Sequence, residues 1–145
     1  MPRYQQIAID GPAGAGKSTV AKAVAERLGY TFVDTGAMYR CVAVAMLRAG
    51  LTVADVAAVG KLAADIAIRF GELHEGRQPV WLDDEDVTAA IRSPEVHAVV
   101  SPVSAIPAVR AALLHQQRAF AEQGPVVMEG RDIQTVVLPA AQVKV

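Results

Sequence analysis

The chain has 145 residues, of which 52% are hydrophobic and 20% charged, and its formal net charge is −1. That length carries one domain, with room for a small inserted one, and can bury a real core. The near-balance of charge excludes a broad basic field for nucleic acid or membrane surfaces, and no apolar run reaches the roughly 20 residues of a membrane span.

The first residues, MPRYQQ, lack the layout of a signal peptide, so a cytoplasmic location is expected. Ile7 to Thr19 then read IAIDGPAGAGKST, in which Gly11, Gly14, Gly16, Lys17 and Ser18 satisfy the pattern G-x-x-x-x-G-K-[ST]. Glycines let the backbone curl so that its N–H groups converge on phosphate oxygens. Lys17 adds a compact positive charge for the outer phosphates, and the Ser18 hydroxyl can ligate Mg²⁺. The helix that opens at Gly16 sets its positive end against the same anion. Gly11, Pro12, Ala13, Gly14, Ala15, Gly16, Lys17, Ser18 and Thr19 are therefore the expected ATP-binding loop. Chance yields such a match in roughly one chain of this length in a few hundred. Context supports it further. The apolar run Ile7, Ala8, Ile9 before the loop suits a buried parallel strand, and Val20, Val24 and Leu28 after it fall at helical spacing.

Gly29 closes that helix, and Tyr30 to Asp34 (YTFVD) predicts a second short strand. Asp34 to Arg40 (DTGAMYR) leads into a long apolar helix through about Leu47, which Gly50 ends. Thr35 serves either as an N-cap or as a group facing the ligand crevice at a strand's carboxyl end. Arg40, one turn into the helix, can fork onto a phosphate. Cys41, the single cysteine, excludes an internal disulfide framework and sits among apolar helical residues, which points to core packing.

Val53 to Ile68 predicts another amphipathic helix. Ile68 to Phe70 and Val80 to Leu82, around a polar turn at His74 to Gln78, predict a small antiparallel hairpin. Prolines at 94, 102 and 107 are expected to break the following stretch into short helices. Such an insertion suits a moving, substrate-gripping lobe, with Trp81 as its packing. His74, His97 and His115 show no metal-ligand spacing. A long helix returns from Ala108, Pro125 to Met128 predicts a third buried strand, and Glu129, Gly130, Arg131 and Asp132 form a ligand-contacting turn at its end. Val143 to Val145 begins a fourth strand.

With GPAGAGKST, DTGAMYR, EDVTAAIRSPEVHAVVS, PAVRAALLHQQRAF and EGRDIQTVVLP in that order, the chain resembles bacterial cytidylate kinase over essentially all of its length. Adenylate kinases typically carry an acid where Ala37 stands, and shikimate kinases need an aspartate where Phe32 stands, so both match less well. The resemblance implies a P-loop α/β/α fold with a parallel sheet and an inserted nucleotide-monophosphate lobe. Core is expected over 1–64 and 106–145, and the lobe over 65–105. It also implies transfer of the ATP γ-phosphoryl group to CMP or dCMP with Mg²⁺, by a cytoplasmic monomer with neither nucleic acid nor membrane as partner. Lys17, Arg40 and Arg131 would be catalytic. Thr35, Arg40, Ser101, Arg110, Arg131 and Asp132 would hold CMP, and Ser18 would hold Mg²⁺, with Asp34 and Glu129 acting through water. Gln134 departs from the glycine usual after G-R-D-I. The family continues past Val143 into an arginine-bearing lid and further strands; a chain truly ending at Val145 is expected to bind nucleotide weakly and turn over poorly, and the simpler reading is a sequence trimmed to its ordered part. The alternatives are a P-loop kinase for UMP or AMP, and a nucleotide-binding fragment without catalysis.

Overall fold

The computed structural model describes residues 2–11 and 16–145. Its elements run β1 (Gln6–Asp10), α1 (Lys17–Leu28), β2 (Thr31–Asp34), α2 (Thr35–Arg48), α3 (Val56–Asp65), β3 (Ile68–Phe70) and β4 (Val80–Leu82). They continue with β5 (Glu85–Asp86), α4 (Pro94–Ser104), α5 (Pro107–Gln123), β6 (Val126–Gly130) and β7 (Val143–Lys144). A 3₁₀ turn at Ala90–Arg92 precedes α4, and a π-helical turn at Ile133–Val137 follows β6. The chain divides into two compact units, the first running to Gly36 and taking in Glu72–Gln78 and Gln116–Val145, the second comprising Ala37–Gly71 and Pro79–His115.

The first unit holds a four-stranded sheet in the order β2-β6-β1-β7 with every pairing parallel. This is the α/β architecture the sequence predicts, and β7 stands where the fourth strand was expected to begin. The central strands read as continuous apolar runs because both their faces are covered: Ala8, Val126, Val127 and Met128 are fully buried. Ile7, Ile9, Phe32 and Val127 form a core cluster with Ala21 and Ala25 of α1. The expected stripe on α1 was Val20, Val24 and Leu28, yet Val20 is 58% and Leu28 49% exposed. Alanines make the contact because a helix lying close on strands needs small side chains at its nearest point, a preference that hydrophobicity alone does not rank. Gly29, at φ 70, closes α1, and the Tyr30 N–H reaches back to the Ala25 carbonyl at 3.0 Å. The polar turn of residues 72–78 belongs to this unit. Leu73 packs on the core cluster, and the Gln78 side-chain amide donates to the Phe32 carbonyl at 2.9 Å.

In the second unit α2 buries Ala37, Met38, Cys41, Val42, Val44 and Met46. Cys41 is thus core, as its apolar neighbours suggest. Gly50 (φ 70) ends the helix. Helix α3 is shorter than the expected span of residues 53–68. The Asp55 carboxylate turns back to the Thr52 N–H at 2.9 Å, holding residues 52–55 in a capping turn, and Ile66 is already extended. Strands β3 and β4 form the expected hairpin, with Ile68 opposite Leu82. A third strand, β5, pairs with β4 and was not foreseen. Its turn places Asp83 (φ 49) and Asp84 (φ 69) in the left-handed region, the geometry of a tight hairpin more often signalled by Asn-Gly. Pro94 and Pro107 each open a helix, where a missing N–H costs nothing. Pro102 does not break the chain as expected but lies inside α4, close to its end.

The handover from β2 to α2 fixes a contact within the first unit. Thr35 is only 4% exposed, and its hydroxyl donates to the Glu129 carbonyl at 2.8 Å. A Cβ on Gly130 would fall inside contact distance of that hydroxyl oxygen and 3.2 Å from the Ile133 Cδ1. Gly130→Ala is expected to lose about 2 kcal/mol of stability, from overpacking and the broken hydrogen bond. Urea unfolding of Gly130→Ala, Thr35→Ala and the double variant checks this: removing Thr35 first should make the alanine far better tolerated.

Candidate active site

Strands β1 and β6 lie side by side, but the chain leaves them in opposite directions, from β1 toward β2 beyond β6 and from β6 toward β7 beyond β1. Such a divergence opens a crevice at the carboxyl ends of the two strands. There the Gly11 N–H donates to the Gly130 carbonyl at 3.3 Å, joining the start of the phosphate loop to the turn after β6. Of the expected loop residues, Pro12, Ala13, Gly14 and Ala15 lie outside the described residues. Gly16 takes the left-handed conformation (φ 77) as N-cap of α1, a geometry that suits glycine. Gly16 offers no side-chain cap and the first turn of α1 carries no acid, a composition that suits an external anion at a helix start. The Lys17 ammonium donates to the Asp10 carbonyl at 2.6 Å. Its Cδ would be 2.7 Å from a Cβ on Gly11, so the lysine stem fills the space that this glycine leaves. Ser18 is half-buried and Thr19 exposed.

Asp34 and Glu129 are register partners at the ends of β2 and β6. Burial pushes the Glu129 carboxyl above its ordinary value, and the neighbouring Asp34 charge adds to this; the Ser18 hydroxyl, which donates to Glu129, and the Lys22 charge pull the other way. A hydroxyl beside two carboxylates is an oxygen-only donor set, which fits Mg²⁺. Among the described residues no group of three or more His, Cys, Asp or Glu side chains forms a metal cage.

After β6, Arg131 and Asp132 are exposed, and Asp132 is left-handed at φ 57. The Asp10 carboxylate accepts from the Ile133 N–H at 2.8 Å and the Gln134 N–H at 3.4 Å. No role was expected of Asp10. The available signal was an acid standing directly before a loop built for anions. The Arg118 guanidinium donates to the Val136 carbonyl at 2.7 Å and the Val137 carbonyl at 3.2 Å, and the Gln134 side chain donates to the Val145 carbonyl at 2.7 Å. The first unit therefore gathers Gly11, Gly16, Lys17, Ser18, Asp34, Thr35, Glu129, Arg131 and Asp132. Arg40, half-buried on α2, and Ser101 and Arg110, exposed on α4 and α5, belong to the second unit.

The sequence profile described as cytidylate kinase matches residues 7–145. The chain belongs to the cytidylate kinase family. The cytidylate kinase of Pelotomaculum thermopropionicum is 52% identical over 145 residues, covering 100% of this chain and 64% of that protein. That of Symbiobacterium thermophilum is 55% identical over 138 residues, covering 95% and 61% respectively. That of Streptococcus agalactiae serotype Ia is 52% identical over 139 residues, covering 96% and 61%. The chain thus spans 61% to 64% of the length of these cytidylate kinases. Among the described residues no single helix is long and apolar enough to cross a membrane; α4 and α5 reach that length and hydropathy only together, and they are bent by 97°.

Because the Glu129 carboxyl is raised above 4.5, the unfolded chain ionises before the folded one as pH rises. Stability therefore falls as pH climbs from 4.5 through the raised value, and stays lower above it. Glu129→Gln should flatten this fall and raise stability at neutral pH by no more than about 1 kcal/mol, since the half-exposed group is screened by solvent. Denaturant midpoints followed across pH check it. An unchanged slope in the variant would assign the pH dependence elsewhere.

Proposed function

We propose that this chain performs the chemistry of a cytidylate kinase, transferring the γ-phosphoryl group of ATP to CMP or dCMP to give CDP or dCDP. The observation that supports this reading best is the parallel pairing of β1 with β6, which sets Gly11, where the glycine-lysine motif begins, against Gly130, just before Arg131 and Asp132. In this reading the protein works as a cytoplasmic monomer, and residues 65–105 act as the nucleotide-monophosphate lobe.

The nucleophile is a phosphate oxygen of the acceptor, already largely ionised at neutral pH because a phosphomonoester's second pKa is about 6. No protein base is needed. The obstacle is electrostatic: two polyanions must meet, and charge must be stabilised as the phosphoryl group moves. Lys17 leaves the Asp10 carbonyl for the outer phosphates, while the opening amides of α1 hold the same tail. Ser18, with Asp34 and Glu129 through water, would hold Mg²⁺, whose charge would neutralise that of the phosphates. Arg131 and Arg40 hold the acceptor phosphate in line. Cytosine presents an amino donor that a carboxylate accepts, and carbonyl and ring-nitrogen acceptors that suit a guanidinium or hydroxyl. Asp132 takes the first, and Arg110 and Ser101 the second. Thr35, whose proton goes to the Glu129 carbonyl, offers the nucleotide a lone pair.

Coupled ADP release over CMP, dCMP, UMP and AMP tests the reading. Lys17→Ala is expected to lower transfer by at least about 10²–10³-fold for every acceptor. Asp132→Ala should instead narrow the preference for CMP over UMP. Preference of the unaltered chain for AMP would overturn the base-reading roles of Asp132 and Arg110.

A further inference from the structure

Asp10 is the last residue of β1, and its carboxylate stands at the phosphate loop, where a second negative charge opposes phosphate unless it is engaged elsewhere. It is engaged: one oxygen accepts from the Ile133 N–H at 2.8 Å and the other from the Gln134 N–H at 3.4 Å. These are the first amides after Asp132. The main chain of Asp10 meets the other side of the crevice, its carbonyl taking the Lys17 ammonium at 2.6 Å. The adjacent Gly11 N–H holds the Gly130 carbonyl at 3.3 Å. One residue thus touches the lysine of the phosphate loop through its backbone and the Arg131–Asp132 turn through its side chain.

We propose that Asp10 is a positioning residue for the acceptor nucleotide, setting the Arg131–Asp132 turn relative to the phosphate loop. The inference deepens the kinase reading above and rests on it. Because the two linkages use different atoms, the side chain can be altered while the backbone contact to Lys17 stays. Acceptor binding should therefore suffer and donor binding should not. A purely structural strand-end role predicts instead that stability, donor affinity and acceptor affinity decline together.

Calorimetry on the 145-residue chain, with magnesium-ATP and CMP titrated separately, reads the difference. Asp10→Ala, which removes both acceptors, is expected to weaken CMP binding by on the order of tenfold while magnesium-ATP binding stays within about twofold. Asp10→Asn keeps the shape and one acceptor oxygen, so it should fall between the two and remain informative if the alanine variant folds poorly. Amide exchange supplies a second readout: the Ile133 and Gln134 amides should exchange faster in the asparagine variant, with the β1 and β6 ladder amides unchanged. Equal weakening of both ligands, or unchanged CMP binding in both variants, would overturn the proposal. Absence of CMP binding by the unaltered chain would overturn the kinase reading, and the proposal with it.

Discussion

The parallel pairing of β1 with β6 is the constraint on which the rest of the crevice depends. From Gln6 opposite Val126 to Asp10 opposite Gly130, five consecutive partners are locked, and the strands between them are buried. A slip of one residue would displace the two strand ends by about 3.3 Å and invert which side chains face which layer. Misplacement of about 1 Å can already cost two orders of magnitude in a transfer reaction. The apolar sequences of β1 and β6 therefore do more than fill a core. By forbidding the slip, they keep Gly11, where the glycine-lysine motif begins, against Gly130, just before Arg131 and Asp132.

The crevice carries four acids, Asp10, Asp34, Glu129 and Asp132, where the proposed reading brings in polyanions. Uncompensated, they would repel phosphate across a screening length of about 8 Å. Each of two acids meets that problem differently. The Asp10 charge is spent on two backbone amides. Glu129 accepts from the Ser18 hydroxyl, and burial together with Asp34 favours its neutral form. The repulsion between Asp34 and Glu129 remains, and in the proposed reading it is what a divalent cation accompanying phosphate would relieve.

Much of this was legible in the sequence, for reasons that differ by residue. The G-x-x-x-x-G-K-[ST] spacing stood out because it has few other uses, and β1, β2 and β6 were readable because buried parallel strands leave apolar runs. The turn of Glu129 to Asp132 was readable from its place at a strand end, while the base-reading role expected of Asp132 came only from the family resemblance. Asp10 was not readable, since its partners, the amides of Ile133 and Gln134, lie more than a hundred residues away and carry no side-chain signature. The α1 stripe misled because Val20 and Ala21 both fit a four-residue period, and only close packing on the sheet selects the alanine. Strand β5 hid behind an Asp-Asp turn stabilised by long-range contacts, Asp83 to the Ala67 N–H at 2.8 Å and Asp84 to Arg69 at 3.2 Å. Helix α3 looked too long because its apolar spacing runs smoothly into β3.

The turn after β6 carries the strain in this arrangement. Asp132 occupies the left-handed region, which costs a non-glycine residue about 1–2 kcal/mol, and a π-helical turn follows at once. Such a conformation persists only where its surroundings over-determine it. Three separate ties do so: Asp10 on the amides of Ile133 and Gln134, Arg118 on the carbonyls of Val136 and Val137, and the Gln134 side chain on the Val145 carbonyl. At a net contribution of about 1 kcal/mol per hydrogen bond, any two of the ties offset the strain and the third provides a margin. Glycine at position 134 could make the main-chain tie to Asp10 but not the side-chain tie to the Val145 carbonyl. Gln134 therefore fastens the turn to the residue just past β7.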